Sequence, residues 1–259
     1  MISLAQLVTQ VDASTPLRVP SNWLQGRTAY GGVTTALALQ AALHAVPDLP
    51  PLRSGHVSFI APAVEALTFR PEMLRRGKSV ASMSVDVRSE DVLAARVALV
   101  FGQARASRIA HDFSERPPVE GPQAYPALTP EERRVGPVFA QNFDIRPAGG
   151  SRLMSGAAHP ELLMWMKHVD AAGVDPTVAL VALADGLPPA AYTSFTERAP
   201  ISSVTWTFDL LQPDLKGEWF LLRAFSRHSS AGYSVQDMEI WDESGRSVLW
   251  GRQMIAIFT

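Results

Sequence analysis

The sequence predicts an α+β fold of two similar halves, each an antiparallel sheet wrapped around a long apolar helix. Three observations lead there. Two segments of helical length, Ala29–Val46 and Pro176–Leu187, are apolar nearly all round, as expected of helices enclosed by other structure. Each is followed by four strand-like segments. A proline-rich stretch, Arg116–Pro137, separates the two sets.

The bulk composition agrees. A length of 259 residues suits one large domain or two of ordinary size. With 47% hydrophobic and 19% charged residues, the chain can fill a core and is not globally disordered. The formal charge of -2 is no footprint for nucleic acid, whose phosphates demand a basic face. The absence of cysteine removes disulfides, thiolate metal sites and a cysteine nucleophile. Met1–Pro20 lacks the basic head and apolar run of a signal peptide, and no apolar stretch reaches the roughly 20 residues that span a bilayer. The expectation is a cytoplasmic protein without membrane or nucleic-acid partners.

Along the chain, Gly31-Gly32 open the first helix and Pro47 stops it. Strands are expected at Arg53–Ala61, Leu67–Arg76, Ser79–Arg88 and Val92–Arg105. In the third, Met83, Val85 and Val87 alternate with polar residues, the period of two of a half-buried sheet. Prolines remove donors and fix φ, so neither helix nor central strand is expected within Arg116–Pro137. The organisation that follows is an N-terminal unit (1–115), a linker (116–136) and a C-terminal unit (137–259).

The second half repeats the order. Val138–Ile145 is a strand candidate, the segment around Trp165 is ambiguous, and Pro176 suits the first turn of the second helix. Strands follow at Ile201–Leu211, Glu218–His228, Tyr233–Asp242 and Ser247–Phe258. Ser79-Val80 and Met83 match Ser234-Val235 and Met238, and both halves close on a long apolar strand. One apolar helix followed by an antiparallel meander is the pattern of the hotdog fold. A single such unit leaves a sheet edge open and tends to pair with another, so the tandem predicts a double hotdog in one chain.

Here the sequence resembles the type II, tandem-hotdog acyl-CoA thioesterases over most of its length outside the linker. The resemblance rests on Tyr30-Gly31-Gly32 before the first helix, on H-V-S-F-I-A-P (His56–Pro62) and on L-R-R-G-K-S (Leu74–Ser79), in that order and spacing. It implies hydrolysis of an acyl-CoA by an activated water, with acyl-CoA as partner and no cofactor. It further implies that an Asp on the second helix, a Thr or Ser on the strand after it and a Gln on the last strand hold that water. Segment by segment, these fall on Asp185, Ser203 and Gln253. Two departures stand out: the family's aromatic after the Asp is Gly186 here, and its Asp-His pair is Thr205-Trp206.

The residues can also be weighed on their own. Asp185 follows Val178, Val181 and Ala182 at helical spacing, and a buried carboxylate there needs partners or a raised pKa. It fits equally the exposed end of a helix before Gly186 and Pro188. Ser203 alternates with Thr205, Thr207 and Asp209 against Val204, Trp206 and Phe208, which by itself favours a solvated outer face. A one-residue slip would substitute Ser202. Gln253 shares a face with Leu249, Gly251, Ile255 and Ile257, where a lone amide needs partners. Val97 stands at the matching place of the first half, and the first helix carries no carboxylate. The trio thus occurs once.

Tyr30, Gly31 and Gly32 are the candidate substrate-binding and oxyanion group, since free amides at a helix start can polarise a thioester oxygen. A tight strand-to-helix turn would use the same glycines. The start of the second helix is the pseudo-symmetric alternative. No G-x-S-x-G, H-E-x-x-H or Cys–His cluster is present, so neither a serine triad nor a metal site is expected. Two other readings are a non-catalytic acyl-thioester binder and a hotdog enoyl-CoA hydratase. The latter needs a His about five residues after its Asp, where this chain reads G-L-P-P-A-A-Y. Exposed sheet edges and a Trp-rich second half point to homodimers or higher homo-oligomers.

Overall fold

The computed structural model describes residues 1–12 and 14–258, so Ala13 and Thr259, the last residue of the expected C-terminal unit, lie outside it. Its helices are α1 (Leu4–Val8), α2 (Gly31–Ala45), α3 (Pro130–Val135) and α4 (Pro176–Ala184). The N-terminal strands are β1 (Leu17–Arg18), β2 (Leu24–Gln25), β3 (Thr28–Ala29), β4 (Leu52–Phe59), β5 (Ala66–Arg76), β6 (Val80–Ser89) and β7 (Val92–Gly102). The C-terminal strands are β8 (Phe143–Gly150), β9 (Glu161–His168), β10 (Ile201–Leu210), β11 (Phe220–Ser230), β12 (Tyr233–Asp242) and β13 (Ser247–Ile257).

The expectation of two sheets needs correction. Apart from the β2–β3 hairpin, the strands form one eleven-stranded sheet in the order β1-β5-β6-β7-β4-β10-β13-β12-β11-β9-β8. The join is the antiparallel pair β4–β10, running from Ser58↔Thr205 to Ser54↔Asp209. Each of these strands follows the helix of its own half and would otherwise leave a row of unpaired amides and carbonyls. Each satisfies the other's edge. At the far ends, Pro71 in β5 and Pro147 in β8 interrupt the outer edges, which blunts association through them.

The two apolar helices α2 and α4 pack against each other. In α2, Gly32 to Leu39 are buried, and in α4 Val178 and Leu180 to Ala184 are buried. A Cβ at Gly32 would lie 2.7 Å from the Ala182 carbonyl oxygen, so glycine permits the close approach of the helices. In β6 the expected alternation appears, with Ala81, Met83, Val85 and Val87 inward. Among the described residues no helix is long and apolar enough to cross a membrane.

Three local expectations change. Val138–Asn142, expected to begin a strand, is a 3-10 turn, and the strand starts at Phe143. The Asn142 side chain closes the turn by donating to the Phe139 carbonyl at 2.9 Å. The segment around Trp165, which was ambiguous, is β9. The linker does contain a short helix, α3, because Pro130 sits in its first turn, where no amide partner is needed. Thr129 and Glu132 cap α3 reciprocally.

The linker is also a strap. It covers a second apolar cluster of Leu163, Trp165, Trp219, Leu221 and Trp241, against which Val119 and Tyr125 pack. Trp165 Nε1 donates to the Glu120 carbonyl at 2.9 Å, and the Arg116 guanidinium lies 5.5 Å from the Trp165 ring centre.

Candidate active site

The first turn of α2, the end of α4 and the start of β10 meet around a cavity of about 680 Å³. Both halves contribute to it. Phe59, Ile60, Ile145, Met164 and Leu187 supply apolar walls, while Gly31, Asp185, Ser202, Ser203 and Gln253 supply a polar corner. This is the usual make-up of a small-molecule site.

Asp185 is the C-cap of α4. Protein surrounds its carboxylate, and the solvent access it retains is on the cavity side. Gln253 Nε2 donates to Asp185 Oδ1 at 2.5 Å, and the Gly32 backbone amide lies near enough to the same carboxylate to favour its charged form. The carboxylate thus sits at the positive end of α2. Gly31 makes this placement possible, because a Cβ there would lie 2.7 Å from Asp185 Oδ2 and 3.1 Å from the Phe59 ring. Burial raises the Asp185 pKa to about 7, against the opposing pull of the Gln253 hydrogen bond and the Gly32 amide.

Gln253 is held on its other side. Its Oε1 accepts from Gln236 Nε2 at 2.8 Å, and Gln236 Oε1 accepts from the Ala190 amide at 2.8 Å. Gln236 and Gln253 are cross-strand partners in β12–β13. Sequence reasoning missed Gln236, although its signal matched that of Gln253: an amide sharing a strand face with Met238 and Ile240, both buried.

Ser203 reaches the cavity through an irregularity that its alternation did not reveal. Ser203 pairs with Ile255, but Thr205 pairs with Met254 and Trp206 with Gln253. The extra residue between Ser203 and Thr205 is a β-bulge. It flips Ser203 onto the face of Ile255 and Gln253, while Thr205 and Thr207 stay on the other. Ser202 also lines the cavity. Among the described residues no side chain bonds the Ser203 hydroxyl, whereas Asp185 and Gln253 touch directly.

The candidate oxyanion group divides. Gly31 lines the cavity. The Gly32 amide favours the charged form of Asp185. Tyr30 is wholly buried, stacked on Phe139 at 3.8 Å between ring centres, and is not part of the cavity wall. Its ring fills the space that Gly32 leaves open, and this packing draws it away from the cavity. The start of α4 is occupied as well, because the Asp175 side chain accepts from the amides of Thr177 and Val178.

The two departures from the family pattern have local explanations. A Cβ at Gly186 would lie 2.6 Å from Met166 Cε, so a methionine from β9 fills the space where the family carries an aromatic. Thr205 faces Ser58 on the far side of the sheet. Trp206 is buried beside Gln253 as its partner across the ladder.

A model described as the acyl-CoA thioesterase N-terminal domain matches residues 19–102, and one described as the acyl-CoA thioesterase C-terminal domain matches residues 119–257. A conserved hot dog fold protein of unknown function from Alicyclobacillus acidocaldarius superposes with a TM-score of 0.87 at 22% identity, covering 98% of this chain and 97% of that one. A protein assigned as a thioesterase II from Thermobifida fusca YX gives 0.80 at 19% identity, with coverage of 95% and 96%. An acyl-CoA thioesterase II from Mycobacterium marinum gives 0.71 at 19% identity, with coverage of 89% and 90%. At these identities the structural likenesses establish the hotdog fold alone. No curated protein sequence matches the chain significantly.

Proposed function

Since the chain belongs to the acyl-CoA thioesterase family of tandem-hotdog proteins, we propose that it hydrolyses an acyl-CoA to the free acid and CoA. The carrying observation is the Asp185 carboxylate, on the cavity wall, hydrogen-bonded by Gln253 and with a pKa raised by burial to about 7. A general base works best when its pKa lies near the working pH.

In this reading Asp185 takes a proton from a water held with Ser203 and Gln253. The water oxygen attacks the thioester carbonyl. As the tetrahedral intermediate collapses, the carbon–sulfur bond breaks and the proton on Asp185 passes to the departing CoA sulfur. The Gly31 amide is a first-turn donor in the cavity lining, where the Gly32 amide is not, and it polarises the thioester oxygen. Residues 1–115 and 137–259 act as the two hotdog units, with 116–136 between them and the working side chains in the second.

The test is release of free CoA thiol from a panel of acyl-CoAs of different chain length and type. Turnover supports the reading, and tight acyl-CoA binding without thiol release would replace it with the binder. No histidine is among the described residues that line the cavity, which leaves the hydratase alternative without its second acid–base group. Gly31→Ala is expected to lower kcat by about 10²-fold, because the new methyl group pushes the carboxylate off its geometry. A melting temperature close to that of the parent would separate this from unfolding.

A further inference from the structure

We propose that Gln236 is a positioning residue for this site: it determines which end of the Gln253 amide faces Asp185. The proposal rests on the thioesterase reading above. An amide has two ends of similar shape and opposite hydrogen-bonding character, so Gln253 by itself could present either its N–H or its carbonyl oxygen to the carboxylate. The hydrogen-bond chain allows one answer. It begins at the Ala190 backbone amide, which can only donate, so Gln236 turns Oε1 towards it. Gln236 Nε2 then faces Gln253 Oε1, and Gln253 Nε2 is left for Asp185. At the far end an ionised carboxylate can only accept. Both termini dictate the same direction along the chain.

Gln236 is fully buried and forms no part of the cavity wall. It therefore acts through Gln253 and does not touch substrate. Its anchor, Ala190, closes the segment Gly186 to Pro189, which does line the cavity. The first half lacks the device: no glutamine stands in β6 or β7, and the inward-facing pairs in that ladder, such as Val85 with Val97, are apolar. A buried amide pair is costly unless every group is met, and it occurs in the half that carries the carboxylate.

The experiment is steady-state kinetics over pH, on the acyl-CoA that the parent turns over, for Gln236→Leu, Gln236→Glu and Asp185→Ala. Gln236→Leu is expected to lower kcat about tenfold or more with KM within about twofold, because the loss falls on the reacting geometry and spares substrate contacts. Its acid limb should move up by about half a pH unit or more, since the Gln253 N–H is no longer held to the carboxylate. In Gln236→Glu, a protonated carboxyl donates to Gln253 as the amide does, and an ionised one cannot. Its kcat relative to the parent should be near unity at about pH 6 and fall as pH rises.

A folded Gln236 variant that follows the parent in kcat across the pH range overturns the proposal, as does a change confined to KM. If Gln236→Leu does not fold, the Gln236→Glu profile decides. Loss of turnover in Asp185→Ala with parental Gln236 variants removes the positioning role alone. Full turnover in Asp185→Ala removes the general-base reading and the positioning role with it.

Discussion

Asp185→Asn is expected to lower kcat for acyl-CoA hydrolysis by about 10²–10⁴-fold, the usual worth of a general base. The pH profile is the more specific readout. In the parent, kcat should rise with pH through an acid limb centred near 7, where burial has moved the Asp185 pKa. Below it, each pH unit leaves about a tenth as much carboxylate to accept the proton from water. In Asp185→Asn the limb should vanish, leaving a slow and flat residual rate. The variant keeps an oxygen for the Gln253 N–H, so KM should move little. An acid limb near 4 in the parent would show a carboxyl titrating like a surface group, and would remove Asp185 as the base.

The parts of this picture that were legible in the sequence share a cause: local period. Met83, Val85 and Val87 declare a half-buried strand, and the all-round apolarity of residues 31–45 declares an enclosed helix. Asp185 and Gln253 stood out as polar groups at apolar positions, and the structure brings them into contact. What stayed hidden depends on pairing between distant segments. Strand period does not say that β4 will pair with β10, so the sequence alone predicts two sheets where the chain builds one. The bulge at Ser203–Thr205 adds one residue without any change in composition, yet it decides which face Ser203 occupies. The linker's prolines signal only breaks in regular structure, while the side chains between them, Val119 and Tyr125, pack on the cluster around Trp165. Tyr30 was grouped with Gly31 by adjacency, but its ring had a better partner in Phe139, more than a hundred residues away in the chain.

The same buried carboxylate should leave a mark on stability. A carboxyl whose pKa is raised by folding, here from 3.8 to about 7, holds its proton more tightly in the folded protein than in the unfolded chain. Between those values the folded state carries the extra proton. The contribution of Asp185 is therefore fully present below about pH 4, falls as pH rises through 7, and is absent above. At 1.36 kcal/mol per unit, the swing is up to about 4 kcal/mol.

His168 runs the other way. Burial lowers its pKa from 6.5 to about 4, so its contribution is lost as pH falls through that window. The two nearly cancel in the parent curve, and the informative quantity is a difference. Unfolding free energies of parent and Asp185→Asn, measured in denaturant at several pH values, should shift relative to each other as pH rises from about 5 to 8, with the variant gaining about 2.5–3 kcal/mol on the parent. A constant offset is expected as well, because the asparagine amide meets the Gly32 N–H donor to donor, and it drops out of the slope. A difference that stays flat over this range would mean that the folded protein ionises Asp185 as readily as the unfolded chain does. The base would then owe nothing to its burial between α2 and the Gln236–Gln253 pair.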